Sequence, residues 1–112
     1  MRRGEIWWAA LDIPSGSEPG YRRPVVIVSN NLFNQSGLRT VLTVPVTSNM
    51  ARETVRGNVR LPSGRTGLPR DSVAVAIQVA STDKRYLLDR IGRVPDDIMS
   101  KINDALRLAL AL

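Results

Sequence analysis

The 112-residue chain is predicted to fold as a mostly-β domain, a small antiparallel barrel of short strands closed by one C-terminal amphipathic helix. Two patterns predict this. Short apolar runs recur between Gly-, Pro- and Asn-rich breaks, a spacing and turn density that suit a barrel rather than βαβ units. Sustained helical spacing is confined to residues 95–112, where Ile98, Ile102, Ala105, Leu106, Ala109 and Leu110 fall on one face.

The elements follow in order. Residues 5–11 (EIWWAAL) read as a first strand, rich in aromatics. Of Trp7 and Trp8, one is expected to pack in the core and one to face a groove or a partner. Residues 13–20, with two prolines and two glycines, read as a loop. Residues 24–29 form the second strand, with Pro24 at the first position, where a strand tolerates it. Residues 30–37 are polar and fit a helical turn anchored by Phe33. Residues 40–46 form a third strand, whose Pro45 points to an edge or a strand end. Residues 47–57 are a loop, 58–61 a fourth strand, 62–71 a turn-rich connection and 72–78 a fifth strand. Residues 82–88 fit a single helical turn and 89–94 a last strand. Pro95 suits the first position of the terminal helix, and Asp96 and Asp97 complement the positive end of its dipole. No repeat or linker interrupts the pattern, so residues 1–112 read as a single domain.

Charge narrows the function. Lys plus Arg total 16 against 10 Asp plus Glu, for a net charge of +6. Only Lys84 and Lys101 are lysines, leaving 14 arginines. The planar guanidinium fork suits phosphate and base recognition, which favours a nucleic-acid partner. The chain has no histidine and no cysteine. That removes imidazole acid–base chemistry, thiol nucleophiles, disulfides and the usual zinc ligands. The carboxylates are scattered, and only Asp96 and Asp97 are adjacent. The sequence therefore predicts no metal site and no cofactor. An enzyme built this way works with Arg, Glu, Ser or Thr. With no signal peptide and no long apolar run, the expected location is the cytoplasm, with no membrane association.

Four short stretches combine reactive side chains with strand ends: GSE (16–18), RRP (22–24), PVTSN (45–49) and LPRDSV (68–73), the last leading to Gln78 and STDKR (81–85). A wider set of five motifs contains them: RGEIWW (3–8), GSE followed by RRPVVIVSNN (22–31), VPVTSN (44–49), GLPRDSV (67–73) and the helical INDALRLAL (102–110). Together, in this order and spacing, they resemble the MazF/PemK toxins of bacterial toxin–antitoxin systems over nearly the whole chain. The resemblance implies a small SH3-like barrel, of the kind shared with the CcdB-like gyrase toxins, that forms a homodimer. It implies a metal-independent endoribonuclease that cuts single-stranded RNA, usually mRNA, at short sequences. The products are a 2′,3′-cyclic phosphate and a 5′-hydroxyl, and growth stops. It also implies a cognate antitoxin whose acidic extended segment occupies the RNA groove. Carried over by position, the catalytic residues are Arg23, Thr47 and Glu18. Ser17, Arg22, Asn34, Ser48, Asn49 and Gln78 match positions near the RNA path. The basic segment 52–70 is longer than the versions it resembles, and no role is carried over to it.

The chemistry is compatible with these residue types. Without a metal, the substrate's own 2′-hydroxyl attacks phosphorus, and negative charge gathers on phosphate oxygens. A guanidinium can hold two such oxygens at once. Arg23 stays protonated and is a poor base, so Glu18 or a less obvious group takes the 2′ proton. Thr47 can donate to phosphate or orient the leaving 5′ oxygen. Two other readings stay open on the same fold, a non-catalytic RNA-binding module and a gyrase-targeting toxin. The second relies on a C-terminal tryptophan, and this chain has none after Trp8.

Overall fold

The computed structural model describes residues 1–10 and 22–112. Among these, seven strands and three α-helices alternate with 3-10 turns: β1 (Glu5–Ala10), β2 (Arg22–Ile27), α1 (Asn31–Asn34), β3 (Thr40–Thr47), a 3-10 turn (Met50–Thr54), β4 (Asn58–Leu61), α2 (Ser63–Thr66), β5 (Ser72–Val75), a 3-10 turn (Ala76–Gln78), β6 (Ala80–Asp83), a 3-10 turn (Lys84–Tyr86), β7 (Leu87–Arg93) and α3 (Asp96–Leu110). The strands form one antiparallel sheet in the order β4-β5-β3-β2-β1-β7, with β6 also paired to β3.

β2 and β3 form the centre. Val25, Val26 and Ile27 face Pro45, Val44 and Thr43, and the Val28 N–H continues the ladder to the Leu42 carbonyl. Both faces of β2 are buried, which is why its sequence is a continuous β-branched run. Val26 and Val28 join the main core, where Ile98, Met99, Ile102 and Ala105 of α3 pack against the sheet. Val25 and Ile27 join a second cluster with Ala9, Val41 and Leu87.

Several sequence expectations need correction. Pro45 is not at an edge, because β3 has strands on both sides. On the side away from β2, Thr40–Thr43 pair with β6 and Val46–Thr47 with β5, so Pro45 falls between two partners, where a residue without an N–H breaks no ladder. Opposite it, the expected fifth strand gives way to the 3-10 turn at Ala76–Gln78, and β6 continues beyond it. Phe33 does not anchor the turn after β2; it is half exposed, and Asn34 is buried instead. The Asn34 amide donates to the Ser29 carbonyl at 2.7 Å and accepts from the Ser29 hydroxyl. Pro95 is the N-cap of α3 rather than its first residue, since its carbonyl accepts the first helical bonds, from Ile98 and Met99. Met99 joins the buried face of α3, whereas Leu110 is exposed.

The barrel closes through backbone contact. α2 follows β4 at one margin of the sheet and packs on β7 at the other. Gly92 of β7 lies against Thr66 so tightly that a Cβ there would sit 2.0 Å from the Thr66 carbonyl oxygen. Gly67 ends α2 in the left-handed region, with φ 85°. Glu5 braces the same strand pair. It is 8% exposed. It accepts from the Arg2 N–H at 2.8 Å and the Trp7 indole at 3.2 Å, and it pairs with Arg90 at 3.4 Å. Burial alone raises its pKa, but the Arg2 and Trp7 donors and the Arg90 charge outweigh this and hold the carboxyl below its usual range.

Two predictions follow from this frame. Gly92→Ala forces α2 off β7 and lowers stability by at least about 2 kcal/mol, read as a fall of roughly 10 °C in Tm; an unchanged Tm contradicts the closure described. For Glu5, the depressed pKa stabilises the fold fully above the ordinary carboxyl value of about 4.3. That contribution is lost as pH falls through the lower folded value. Urea unfolding of the natural chain and Glu5→Gln therefore shows a stability gap that is widest above about pH 5 and narrows below about pH 4. A gap that does not change with pH rules the interaction out.

Candidate active site

The register of the central ladder places the two chemistry-bearing residues. Partners in β2 and β3 follow one antiparallel register from Val26–Val44 to Val25–Pro45. Two residues past the last paired positions stand Arg23 on β2 and Thr47 on β3, and both line one cleft. Alternation along β2 puts Arg23 on the face of Val25 and Ile27, whose burial holds the strand in place. Beyond Pro45 the β2–β3 pairing ends, Arg23 staying paired with Ala9 of β1 and Thr47 with Val73 of β5, and the cleft lies at this point.

The cleft has two lobes, and both are lined by Arg23, Val46 and Thr47. The larger, about 320 Å³, continues past Trp8, Arg22, Pro24, Ser48, Leu68, Pro69, Arg70 and Ser72. The smaller, about 70 Å³, continues to Pro45, Arg52, Val75 and Gln78. Among the described residues no carboxylate lines either lobe. Six other arginines, Arg60, Arg65, Arg85, Arg90, Arg93 and Arg107, are held in ion pairs with acidic side chains. Arg22, Arg52 and Arg70 have no acidic partner among the described residues. The cleft thus gathers Arg22, Arg23, Arg52 and Arg70, with no carboxylate among its described lining residues.

Local structure supports each wall. The Thr47 hydroxyl accepts the Asn49 N–H at 3.2 Å, which leaves its own hydrogen to donate. Asn49 caps the following 3-10 turn by accepting the Ala51 N–H at 3.1 Å. Within that turn, the Arg52 carbonyl receives the Val55 N–H and the Asn58 amide. On the opposite wall, Asp71 accepts the Ser63 N–H at 2.9 Å and Arg60 at 3.1 Å. The Ser63 contact first, then Arg60, lowers its pKa. The Ser72 hydroxyl donates to the Arg70 carbonyl at 2.9 Å. These bonds fix the chain on either side of Leu68–Arg70.

Of the residues expected from the sequence, Arg22, Arg23, Thr47, Ser48 and Gln78 come together at the cleft. Asn49 stands beside it as a cap. Asn34 does not line it, and its amide is engaged within the 29–34 turn. Ser17 and Glu18 lie outside the described residues. Sequence reasoning did not place Arg52 and Arg70 here. Arg70 lay in a motif already singled out, GLPRDSV, whereas Arg52 sat in a loop with no pattern to mark it. Among the described residues, no group of three or more His, Cys, Asp or Glu is placed to hold a metal ion.

The PemK-like, MazF-like toxin family of type II toxin–antitoxin systems matches residues 2–110. The chain belongs to this family. Curated relatives of the MazF/PemK toxin agree. Endoribonuclease MazF6 of Mycobacterium tuberculosis is 44% identical over 112 residues, covering all of this chain and 98% of its own. Endoribonuclease EndoA of Bacillus subtilis is 32% identical, covering all of this chain and 96% of its own. A mycobacterial endoribonuclease solved in complex with its cognate antitoxin superposes with a TM-score of 0.80 at 31% identity, covering 100% of this chain and 96% of that one. MazF from the MazE–MazF complex of Deinococcus radiodurans shares the fold, with a TM-score of 0.82 at 23% identity, over 100% of this chain and 96% of that one. The mostly-β fold with a C-terminal helix expected from the sequence is therefore the MazF fold. No helix among the described residues is long and apolar enough to cross a membrane.

Proposed function

We propose that this MazF/PemK toxin is an endoribonuclease that cuts single-stranded RNA, mRNA above all, without a metal ion. The observation that carries the reading is the placement of Arg23 and Thr47 just past the paired end of the β2–β3 ladder, lining both lobes of a cleft with no carboxylate among its described residues. A phosphate seated there places the strand of RNA along the two lobes. The 2′-oxygen bonds to phosphorus as the bond from phosphorus to the 5′ oxygen breaks. The products are a 2′,3′-cyclic phosphate and a 5′-hydroxyl. Arg23 holds two non-bridging oxygens with its fork and neutralises the charge of the pentacoordinate transition state. Thr47 donates a hydrogen bond to the phosphate or the leaving oxygen, and that oxygen takes a proton from water to become the 5′-hydroxyl. Glu18 is the proposed acceptor of the 2′ proton, by resemblance. Arg22, Ser48 and Gln78, with Ser17 and Asn49, hold flanking nucleotides. Asn34 serves the reading indirectly, by ordering the turn after β2.

In this reading residues 1–112 act as one domain, in a homodimer, in the bacterial cytoplasm. The antitoxin is a protein with an acidic extended segment that competes with RNA for the cationic cleft. The solved complex of a mycobacterial relative with its cognate antitoxin supports such a partner.

The catalytic assignment predicts that Arg23→Ala lowers kcat by about 10²–10³-fold with fold and assembly intact. Replacing the nucleotide 5′ of the cut by its 2′-deoxy form abolishes cleavage. Near-normal cutting in either case refutes the mechanism. The electrostatic assignment is checked separately. For uncleavable single-stranded RNA, Arg52→Gln or Arg70→Gln each reduces the slope of log K against log salt by about 0.7. An unchanged slope removes that arginine from the phosphate path.

A further inference from the structure

The two lobes are unequal in size and in chemistry, and the difference falls on either side of the same Arg23–Thr47 pair. The larger lobe carries an indole, Trp8, and an apolar wall from Pro24, Leu68 and Pro69. The smaller has no aromatic side chain among its described lining residues and holds only about 70 Å³. A purine or pyrimidine needs a flat apolar surface and room to lie on it. Only the larger lobe offers both.

The adjacent tryptophans are sorted by their surroundings. Trp7 packs against the second core cluster and donates its indole N–H to Glu5. Trp8 belongs to neither cluster, and its indole N–H has no acceptor among the described residues. A half-buried tryptophan usually finds such an acceptor. The β1–β7 register shifts between Trp7 and Ala9, at Trp8, and irregularities of this kind re-aim a side chain. Leu68 is itself buried in the main core, so the wall that carries Pro69 is anchored rather than adjustable.

We propose that Trp8, with the Leu68–Pro69 wall, forms a slot for one unpaired nucleobase next to the scissile phosphate, and that the smaller lobe takes sugar-phosphate backbone only. The proposal rests on the endoribonuclease reading of the same cleft. It makes base selection asymmetric about the cut. One neighbouring base is seated and read, and on the other side Arg52 grips the chain without reading it.

The test uses a Trp7→Phe chain, in which Trp8 is the sole tryptophan. The ligand is a single-stranded oligoribonucleotide carrying the mapped cut sequence, made uncleavable by one 2′-deoxy residue. Binding is followed by anisotropy of a label on the oligonucleotide, and Trp8 emission is followed in parallel. Binding is expected to quench Trp8. Moving a single abasic residue along the oligonucleotide should find one position, next to the cut, where quenching is lost and binding weakens roughly 10- to 100-fold. Binding with unchanged Trp8 emission, or equal sensitivity at every position, overturns the slot while leaving the ribonuclease reading intact. Failure to bind together with failure to cut overturns both. If Trp7→Phe does not fold, Trp8→Leu in the natural chain serves instead. The cut-site preference then relaxes at one flanking base, and an unchanged preference overturns the slot.

Discussion

The antiparallel register between β2 and β3 is the constraint on which the rest depends. It is set by burial. Val25, Val26 and Ile27 are all but inaccessible to solvent, and so are Val44 and Val46. A slip of one residue would exchange the two buried faces and strand apolar side chains in the wrong core. Just past the last paired residues, the two strands bring a guanidinium and a hydroxyl to the same cleft. Packing energy deep in the sheet thus supplies positional precision at its end, which is what a site working by preorganised charge requires.

Electrostatics does not treat the arginines alike. Of those outside the cleft, Arg60, Arg65, Arg85, Arg90, Arg93 and Arg107 are tied to Asp or Glu, mostly in exposed pairs that contribute little to stability, whereas Arg2, Arg3, Arg39 and Arg56 have no acidic partner among the described residues. The effect of the pairs is subtractive. They lower the positive charge of the rest of the surface relative to the cleft, whose walls carry Arg22, Arg52 and Arg70 along with Arg23. Asp71 illustrates the division. Its ties to Arg60 and the Ser63 backbone hold the wall that presents Arg70. The basic segment between residues 52 and 70 is therefore both scaffold and site.

Much of this was legible in the sequence because burial leaves a periodic trace. The β-branched run of β2, the terminal helix and the motifs around Arg23 and Thr47 could be read directly. What escaped depended on tertiary contact. Pro45 reads as an edge residue until β3 is seen to change partners beside it. The interruption at Ala76–Gln78 follows from that exchange, and it is what brings Gln78 to the smaller lobe. Phe33 outranks Asn34 as an anchor by hydropathy, yet Asn34 is buried because its amide closes a turn that no apolar group could satisfy. Arg52 and Arg70 were counted in the net charge, but only the folded chain separates them from arginines that are neutralised.

The central claim is that this cleft cleaves RNA through the substrate's own 2′-hydroxyl, with charge stabilised by side chains alone. The most direct measurement maps both new ends of a long single-stranded RNA cut by the purified protein in excess EDTA. The account predicts 2′,3′-cyclic phosphate on one fragment and 5′-hydroxyl on the other, at a rate EDTA does not change. Fragments ending in 3′-hydroxyl and 5′-phosphate, or cutting that EDTA stops, would contradict it.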